Sequence, residues 1–206
     1  MGEEVVGCIL AGGLARRMGG GDKGLIGLQG RPILDHVIAR LAPQVRRIVL
    51  NANGDPARFA QYDLPVVADP IEGFAGPLAG VLAGLHWARD QAPGARYVAT
   101  AATDTPFLPR DLVARLLQAL AEAGADLATA ASGGRHHPVF GLWPVALADD
   151  LERAMREGGV RKVDVFTGRY RLAVAEFAAR LYDPFFNANA PEDVDAAERI
   201  AREFGA

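Results

Sequence analysis

Short apolar runs rich in β-branched and aromatic residues alternate along this chain with stretches of helical periodicity. The runs predict strands at residues 5–10, 47–50, 66–68, 97–102 and 126–131, and the periodic stretches predict helices at 33–41, 78–88, 112–120, 147–155 and 191–204. Because strands that alternate with helices form parallel βαβ units, the pattern predicts an α/β fold with helices on both faces of the sheet. Ligands of such sheets bind beyond the carboxyl ends of the strands, so polar residues that end strands become candidate site residues.

The composition is that of a folded domain, with 50% apolar residues, 23% charged residues and a net charge of −3. Because 22 basic side chains face 25 acidic ones, the chain has no overall basic field, and we expect no nucleic-acid partner. The single cysteine, Cys8, excludes an intrachain disulfide and a cysteine-rich zinc site. The first residues lack both a basic signal-peptide region and the ~20 apolar residues of a membrane span. We therefore expect a cytoplasmic protein with no membrane contact.

A glycine-rich, cationic loop follows the first predicted strand. Residues 11–24, AGGLARRMGGGDKG, contain six glycines together with Arg16, Arg17 and Lys23. Glycine lets backbone N–H groups approach a ligand closely, and three cations can meet several negative charges at once, so the loop predicts a polyphosphate ligand. The spacing fits neither a P-loop, since Gly24 follows Lys23, nor a dinucleotide-binding fingerprint. The alternative is a flexible surface turn, although turns seldom combine this length with so many glycines and cations.

The string LAGGLARRMGGGDKG resembles the opening signature of nucleotidyltransferases that act on phosphorylated sugars and pterins, most closely the MobA family of molybdenum cofactor guanylyltransferases. The resemblance continues in order through GLIGLQGRPILDHV, VLNANG, VVAD, GPLAGVLAGL, TDTPFLP, RHHPVFGLW, GGVRKVDVF and FFNANAPED, and so covers nearly the whole chain. It implies a Rossmann-like, three-layer, doubly wound α/β fold with a mostly parallel sheet. It also implies an enzyme that transfers GMP from GTP to the terminal phosphate of molybdopterin and releases pyrophosphate.

The resemblance also implies roles for individual residues. Lys23 would contact the phosphates and stabilise the departing pyrophosphate, and Asp104 would bind Mg²⁺. The cationic loop itself adds a third catalytic candidate, Arg17, which would hold the triphosphate. The residues that the resemblance places against the nucleotide are Leu10, Ala11, Gly12, Gly13, Lys23, Asn51, Asp69 and Asp104.

Asp104 follows a predicted central strand of small apolar residues, which puts it at the carboxyl edge of the sheet. Mg²⁺ prefers one or two carboxylates together with waters and phosphate oxygens, so one aspartate that faces a triphosphate can suffice. The alternative is a turn aspartate ahead of Thr105 and Pro106. Asp69 could accept hydrogen bonds from guanine or from ribose. Asp69 and Asn51 could each instead stabilise a turn, and Asn53 is assigned to a turn.

The candidate acceptor side lies in the second half of the chain. Residues 135–138 follow the turn at Gly133 and Gly134, and we predict an irregular insertion there that bears part of a site. Adjacent histidines in a strand point to opposite faces, which argues against zinc; His137 is either an acceptor ligand or part of a polar hairpin tip. By resemblance Arg161 and Lys162 lie on the pterin phosphate side, and Asn187 and Asn189 belong to the active site. Together with His137 these are the candidate acceptor-binding residues. The alternatives are a solvated helix face for the two cations and an N-cap role for Asn189.

The implied reaction needs no general base. A phosphate monoester has a second pKa near ~6 and is mostly dianionic at neutral pH, so the protein must supply alignment and charge neutralisation. We expect residues 1–206 to form one domain, with a nucleotide-binding part at about 1–110 and an acceptor-binding part at about 111–206.

We expect a monomer, since no exposed apolar stripe is evident, with possible transient contacts to other proteins of molybdenum cofactor biosynthesis. Three alternatives remain open: a cytidylyltransferase for the same cofactor, a sugar-phosphate nucleotidyltransferase, and a non-catalytic GTP-binding module in cofactor assembly.

Overall fold

A seven-stranded sheet organises the computed structural model, which describes residues 2–12, 22–73 and 76–205. A small antiparallel hairpin lies apart from it. In chain order the strands are β1 Val5–Leu10, β2 Gly27–Leu28, β3 Arg31–Pro32, β4 Arg47–Asn51, β5 Val66–Val67, β6 Tyr97–Ala102, β7 Leu127–Ser132, β8 Arg135–Pro144 and β9 Leu172–Phe177. The order in the large sheet is β5-β4-β1-β6-β8-β7-β9, and all neighbours pair in parallel except β8, which is antiparallel to β6 and β7. The predicted mostly parallel sheet is confirmed.

Helices cover both faces of this sheet, so the predicted doubly wound α/β fold is confirmed as well. In chain order the helices are α1 Ile33–Leu41, α2 Pro77–Gln91, α3 Leu112–Ala123, α4 Ala148–Arg156, α5 Val163–Thr167 and α6 Pro191–Phe204. The five predicted helices are present with small shifts at their ends, and α5 was not predicted. The buried apolar residues form two clusters, one that includes α1, α3 and α6 and one that includes α2, α4 and α5.

The direction of winding reverses at β1. From β1 the chain moves outward through β4 and β5, and it then returns to the other side of β1 to form β6. Both β1 and β6 are almost completely buried, as expected for apolar strands with helices above and below. In open α/β sheets a crevice forms beyond the carboxyl ends of the strands at such a reversal, and ligands bind there.

The region predicted as an irregular insertion at 135–138 is instead the start of a regular strand, so that prediction is wrong. Gly133 at φ 54° and Gly134 at φ 77° form the two-residue turn of a β7–β8 hairpin, because both positions need a left-handed backbone. The pairing of the hairpin shifts between Thr129 and Ala130, which face Gly141 and His137 respectively. Residues 138–140 therefore form a bulge opposite β7, a place where a strand tolerates a proline.

No helix in the residues that the structure describes is long and apolar enough to cross a membrane.

Candidate active site

A cavity of about 550 Å³ opens at the winding reversal, beyond the carboxyl ends of β1, β4 and β6. The bulge and the first residues of β8 form its other wall. The structure brings together nine of the predicted site residues along this cavity: Leu10, Ala11, Gly12, Lys23, Asn51, Asp69, Asp104, His137 and Asn187. Two further predicted residues, Gly13 and Arg17, lie outside the described residues.

Lys23 and Asp104 face each other in this cavity. Lys23 starts a short 3₁₀ turn, Lys23–Leu25, and its Nζ lies 3.4 Å from Oδ2 of Asp104, with 21% and 13% of the two side chains exposed. Burial raises the pKa of the Asp104 carboxyl, and the nearby ammonium of Lys23 partly opposes that rise. The other oxygen, Oδ1, is buried and has no hydrogen-bond partner among the described residues. A buried carboxylate oxygen without a partner is costly, so this oxygen is suited to a hard cation.

The segment before α6 joins the Lys23–Asp104 pair. The N–H of Ala188 donates to the backbone carbonyl of Asp104 at 2.8 Å, and Thr105 Oγ1 donates to Asn187 Oδ1 at 2.8 Å. Asn189 Oδ1 accepts a hydrogen bond from Lys23 Nζ. This segment therefore brings two amide side chains from the end of the chain to the carboxyl end of β6.

The structure contradicts the capping interpretation of Asn189. Ala190 is the N-cap of α6, and the Asp193 carboxylate accepts from the N–H groups of Asn189 at 2.8 Å and Ala190 at 2.9 Å. Because Asp193 satisfies these donors, the side chain of Asn189 is available for Lys23. Asn189 itself does not line the cavity but contacts a residue that does.

Two asparagines hold the carboxylate of Asp69. Asn51 Nδ2 donates to Oδ1 at 2.9 Å, and Asn53 Nδ2 donates to Oδ2 at 2.7 Å. The N–H of Asp69 in turn donates to Asn53 Oδ1 at 2.8 Å, which makes the pair reciprocal. Asn51 is 2% exposed and packs against Gly80 of α2, where a Cβ would lie 2.3 Å from Asn51 Oδ1. The carboxylate is thus fixed in place, and each oxygen keeps acceptor capacity toward the cavity.

The backbone after β1 enters the same wall. The N–H of Ala11 donates to the carbonyl of Asn51 at 2.8 Å, so it is not free for a ligand. Among the residues that the structure describes, no atom outside the immediate chain neighbours lies within 4 Å of a Cβ built on Gly12, and Gly12 borders the cavity. A ligand could therefore approach the backbone closely at Gly12 rather than at Ala11.

His137 is buried in the acceptor-side wall. Its Nε2 lies 2.8 Å from Ser132 Oγ, and Ser132 Oγ donates to Asp183 Oδ1 at 2.7 Å. Because the single hydroxyl proton is used on Asp183, Ser132 must accept from His137, which assigns the His137 proton to Nε2. The ring packs on Phe185 with 4.6 Å between centroids, and burial lowers the pKa of His137. His136 is exposed and points to the opposite face of the strand.

Arg161 and Lys162 do not line the cavity. Both are exposed just before α5, and the guanidinium of Arg161 donates to the carbonyls of Met155 at 2.7 Å and Val160 at 2.9 Å. A Cβ on Gly76 would lie 3.4 Å from the carbonyl oxygen of Arg161, so the backbone of Arg161 lies next to a residue that lines the cavity.

Asp22, Asn53 and Arg58 are among the residues that line the cavity and that sequence reasoning missed. Asn53 was assigned to a turn, although its spacing of two from Asn51 places both on the same side of an extended chain. Asp22 and Arg58 form an ion pair of 2.6 Å between Oδ2 and Nε. No local pattern announces that pair, since its members belong to different elements.

The sequence profile of the MobA-like NTP transferase domain matches residues 7–170. The chain belongs to this family. As a MobA-like NTP transferase it is 59% identical over 193 residues to the molybdenum cofactor guanylyltransferase of Rhodopseudomonas palustris (strain BisB5), with 94% of this chain and 92% of the relative covered. It is 58% identical over 197 residues to the protein of the same name from Bradyrhizobium sp. (strain ORS 278), with 96% and 93% covered. The resemblance to this family in the sequence is confirmed.

Solved structures agree with this assignment. Molybdopterin-guanine dinucleotide biosynthesis protein A from Archaeoglobus fulgidus is 25% identical with a TM-score of 0.74, over 97% of this MobA-like chain and 100% of the other. A CMP:2-keto-3-deoxy-manno-octonic acid synthetase complexed with CTP has a TM-score of 0.72 at 13% identity, over 97% and 99% of the two chains, and so shares the fold. The predicted Rossmann-like fold and nucleotidyltransferase class are confirmed.

Proposed function

We propose that this protein transfers GMP from GTP to the terminal phosphate of molybdopterin, giving the guanine dinucleotide cofactor and pyrophosphate. The observation that carries the proposal is the pairing of Lys23 with Asp104, 3.4 Å apart, at the winding reversal of the sheet. The names of relatives 58% and 59% identical along nearly the whole chain support it. In this reaction the acceptor phosphate attacks the α-phosphorus of GTP, a new P–O bond forms, and the bond to pyrophosphate breaks.

Asp104 is the residue that would hold Mg²⁺. Its buried Oδ1 has no partner among the described residues, and one carboxylate with phosphate oxygens and waters is a ligand set that Mg²⁺ accepts. When bound there, the ion supplies positive charge to the phosphate oxygens. Lys23 adds a second positive charge, which neutralises the pyrophosphate as it leaves. The acceptor phosphate is already dianionic, so no side chain has to remove a proton.

The held carboxylate of Asp69 favours guanine over cytosine. Guanine presents two neighbouring donors, N1–H and N2–H, which a carboxylate accepts side by side. Cytosine presents one donor beside an acceptor, and an acceptor that faces the carboxylate would be left unpaired, a costly arrangement in a binding site. Since Asn51 and Asn53 fix both oxygens of Asp69, the carboxylate cannot turn away to accommodate cytosine. This argues against the cytidylyltransferase alternative.

The acceptor would enter between the carboxyl end of β6 and the first residues of β8. His137 and Asn187 line that side, Asn189 contacts Lys23, and Arg161 with Lys162 would lie further out toward the pterin. With this arrangement we propose a nucleotide-binding part at about residues 1–110 and an acceptor-binding part at about 111–206, within one domain.

The experiment is a pyrophosphate-release assay with purified protein, Mg²⁺, molybdopterin and each of the four nucleoside triphosphates. With molybdopterin present, we expect pyrophosphate release from GTP and not from the other three nucleotides. Asp104→Ala should abolish it, and Lys23→Ala should slow it about a hundredfold or more, the loss that follows removal of one preorganised electrostatic contact. Matched controls are Asp126→Ala and Arg171→Ala, an exposed carboxylate and its cationic partner at the amino ends of β7 and β9.

Three results would contradict the proposal. Near wild-type rates in Asp104→Ala or Lys23→Ala would contradict the roles assigned to these two residues. Release with CTP in preference to GTP would favour the cytidylyltransferase alternative. GTP binding without pyrophosphate release in the presence of molybdopterin would favour a non-catalytic module.

A further inference from the structure

Arg58 connects two walls of the cavity. It lies in a 3₁₀ segment, Pro56–Tyr62, that follows β4. Its guanidinium donates from Nη2 to the carbonyl of Asn53 at 2.6 Å and from Nη1 to the carbonyl of Asp55 at 2.7 Å. Its Nε lies 2.6 Å from Oδ2 of Asp22. One side chain therefore binds the turn after β4 and, across the cavity, the segment that carries Lys23.

This connection joins the residues proposed to hold the nucleoside to those proposed to hold the phosphates. Asn53 forms the reciprocal pair with Asp69, whose carboxylate faces the nucleoside. Asp22 directly precedes Lys23, whose ammonium faces Asp104. A continuous series of contacts thus runs from the nucleoside carboxylate to the phosphate cation, and Arg58 is the member that spans the gap.

The setting of Arg58 makes this connection rigid. The side chains of Arg58 and Asp22 are 28% and 15% exposed, so their ion pair is partly shielded from water and salt. The guanidinium also lies over the ring of Phe59, 4.7 Å from its centroid. A planar guanidinium that is stacked on a ring, hydrogen-bonded to two carbonyls and in ion-pair contact with Asp22 has little freedom left. Lysine could not reproduce this, because an ammonium lacks the planar set of donors.

We propose that Arg58 is a positioning residue that fixes the distance between the base-recognising pair Asn53–Asp69 and the phosphate cation Lys23. A GTP molecule held by its base then has its α-phosphate placed against Lys23 and Asp104. The proposal rests on the proposed function, since it assigns a role in the same transfer. The role is one of alignment, because neither the bond from Asn51 to Asp69 nor the contact of Asn189 with Lys23 involves Arg58.

The test compares Arg58→Gln, Asp22→Asn and the double variant. Each single variant should lower kcat for pyrophosphate release from GTP roughly tenfold to a hundredfold, the cost of misplacing reacting groups by about 1 Å. The dissociation constant for GTP, measured by calorimetry without acceptor, should change much less. The double variant should be no slower than the slower single variant, because both substitutions break the same connection.

Controls separate alignment from general damage. Arg171→Ala removes the guanidinium of another arginine–aspartate pair, with Asp126 2.9 Å away at the far end of the sheet, and should leave kcat unchanged. Thermal unfolding of each variant shows whether a loss of rate follows a loss of folded protein. If Arg58→Gln does not fold, Asp22→Asn alone decides the matter, since it removes the charge of the pair without changing its shape.

The outcomes distinguish this proposal from the proposed function. Three results with an active wild type would overturn the role of Arg58 alone. They are an unchanged kcat in both single variants, additive losses in the double variant, and an equal loss of rate in Arg171→Ala. A wild type that releases no pyrophosphate from GTP with molybdopterin overturns the proposed function and the role of Arg58 together.

Discussion

Replacement of Gly80 by alanine should impair nucleotide binding through a collision between α2 and the strands β1 and β4. A Cβ at this position would lie 2.3 Å from Asn51 Oδ1 and 2.8 Å from Leu10 Cδ2. Real Cβ atoms do not approach other heavy atoms so closely, so the asparagine must move. Its Nδ2 then loses the bond of 2.9 Å to Asp69. The substitution therefore disturbs the Asp69 carboxylate without replacing any residue proposed to contact GTP.

The size of the effect follows from two contributions. An extra methyl group in a packed interior costs roughly 1–3 kcal/mol, and alanine returns about 1 kcal/mol through its better helix propensity. The free energy of unfolding should thus fall by up to about 2 kcal/mol. In a chain of this size, each kcal/mol lowers Tm by roughly 2–4 °C. A lost hydrogen bond to a charged group is worth about 1.5–3 kcal/mol, which corresponds to a roughly tenfold to hundredfold weaker binding of GTP.

The assay pairs calorimetric titration of GTP with thermal unfolding, and Gly84→Ala is its control. Gly84 lies one turn further along α2, where a Cβ would meet Cys8 Sγ at 2.8 Å and Cys8 Cβ at 2.9 Å. This site is away from the cavity. We expect Gly84→Ala to lower Tm by a similar amount and to leave the affinity for GTP unchanged. Wild-type affinity in Gly80→Ala, or equal weakening in the two variants, would refute the reasoning.

Three further predictions concern single residues. Asp69→Asn should weaken GTP binding roughly tenfold to a hundredfold and reduce discrimination against CTP, as measured by calorimetry with both nucleotides; unchanged discrimination would place Asp69 elsewhere. Burial lowers the pKa of His137 below its ordinary value of 6.5, so the neutral ring's contribution to stability is complete above that pH and is lost as the pH falls through the folded-state pKa. In denaturant titrations between about pH 5 and 7, the free energy of unfolding of His137→Gln should therefore depend less on pH than that of the wild type. An equal pH dependence would contradict this. Gly124→Ala should cost about 1 kcal/mol of unfolding free energy, because this residue ends α3 at φ 54° with open space around it, and an unchanged Tm would refute that backbone cost.

The sequence could predict that the candidate nucleotide-binding residues lie along one cavity, because most of them follow the ends of predicted strands. The strands that end before Ala11, Asn51 and Asp104 are short apolar runs, and their alternation with helices places their carboxyl ends together. Strand-end position was sufficient to find Asp69 as well. What this reasoning could not supply was the partner of each side chain.

The acceptor side could not be predicted in the same way. The strand β8 opens with polar residues and contains Pro138, features that normally argue against a strand. It forms because β7 pairs with its first residues, and because Thr100 Oγ1 donates to the carbonyl of Val139 at 2.5 Å where the ladder with β6 has ended. The contact of Asn189 with Lys23 joins residues 166 positions apart. Such long-range contacts, unlike periodicity, leave no local trace in a single sequence.

The bulged hairpin gives the two walls of the cavity different structural freedom. The wall that faces the nucleotide grows out of consecutive parallel strands, so insertions there would disturb their crossover connections. The other wall is the stem of a single ribbon whose tip, at Gly133 and Gly134, is exposed. Residues could be added or removed in pairs at that tip with the alternation of inward and outward side chains preserved. A protein engineer could therefore reshape the proposed acceptor entrance by hairpin exchange while the wall built from parallel strands keeps its architecture.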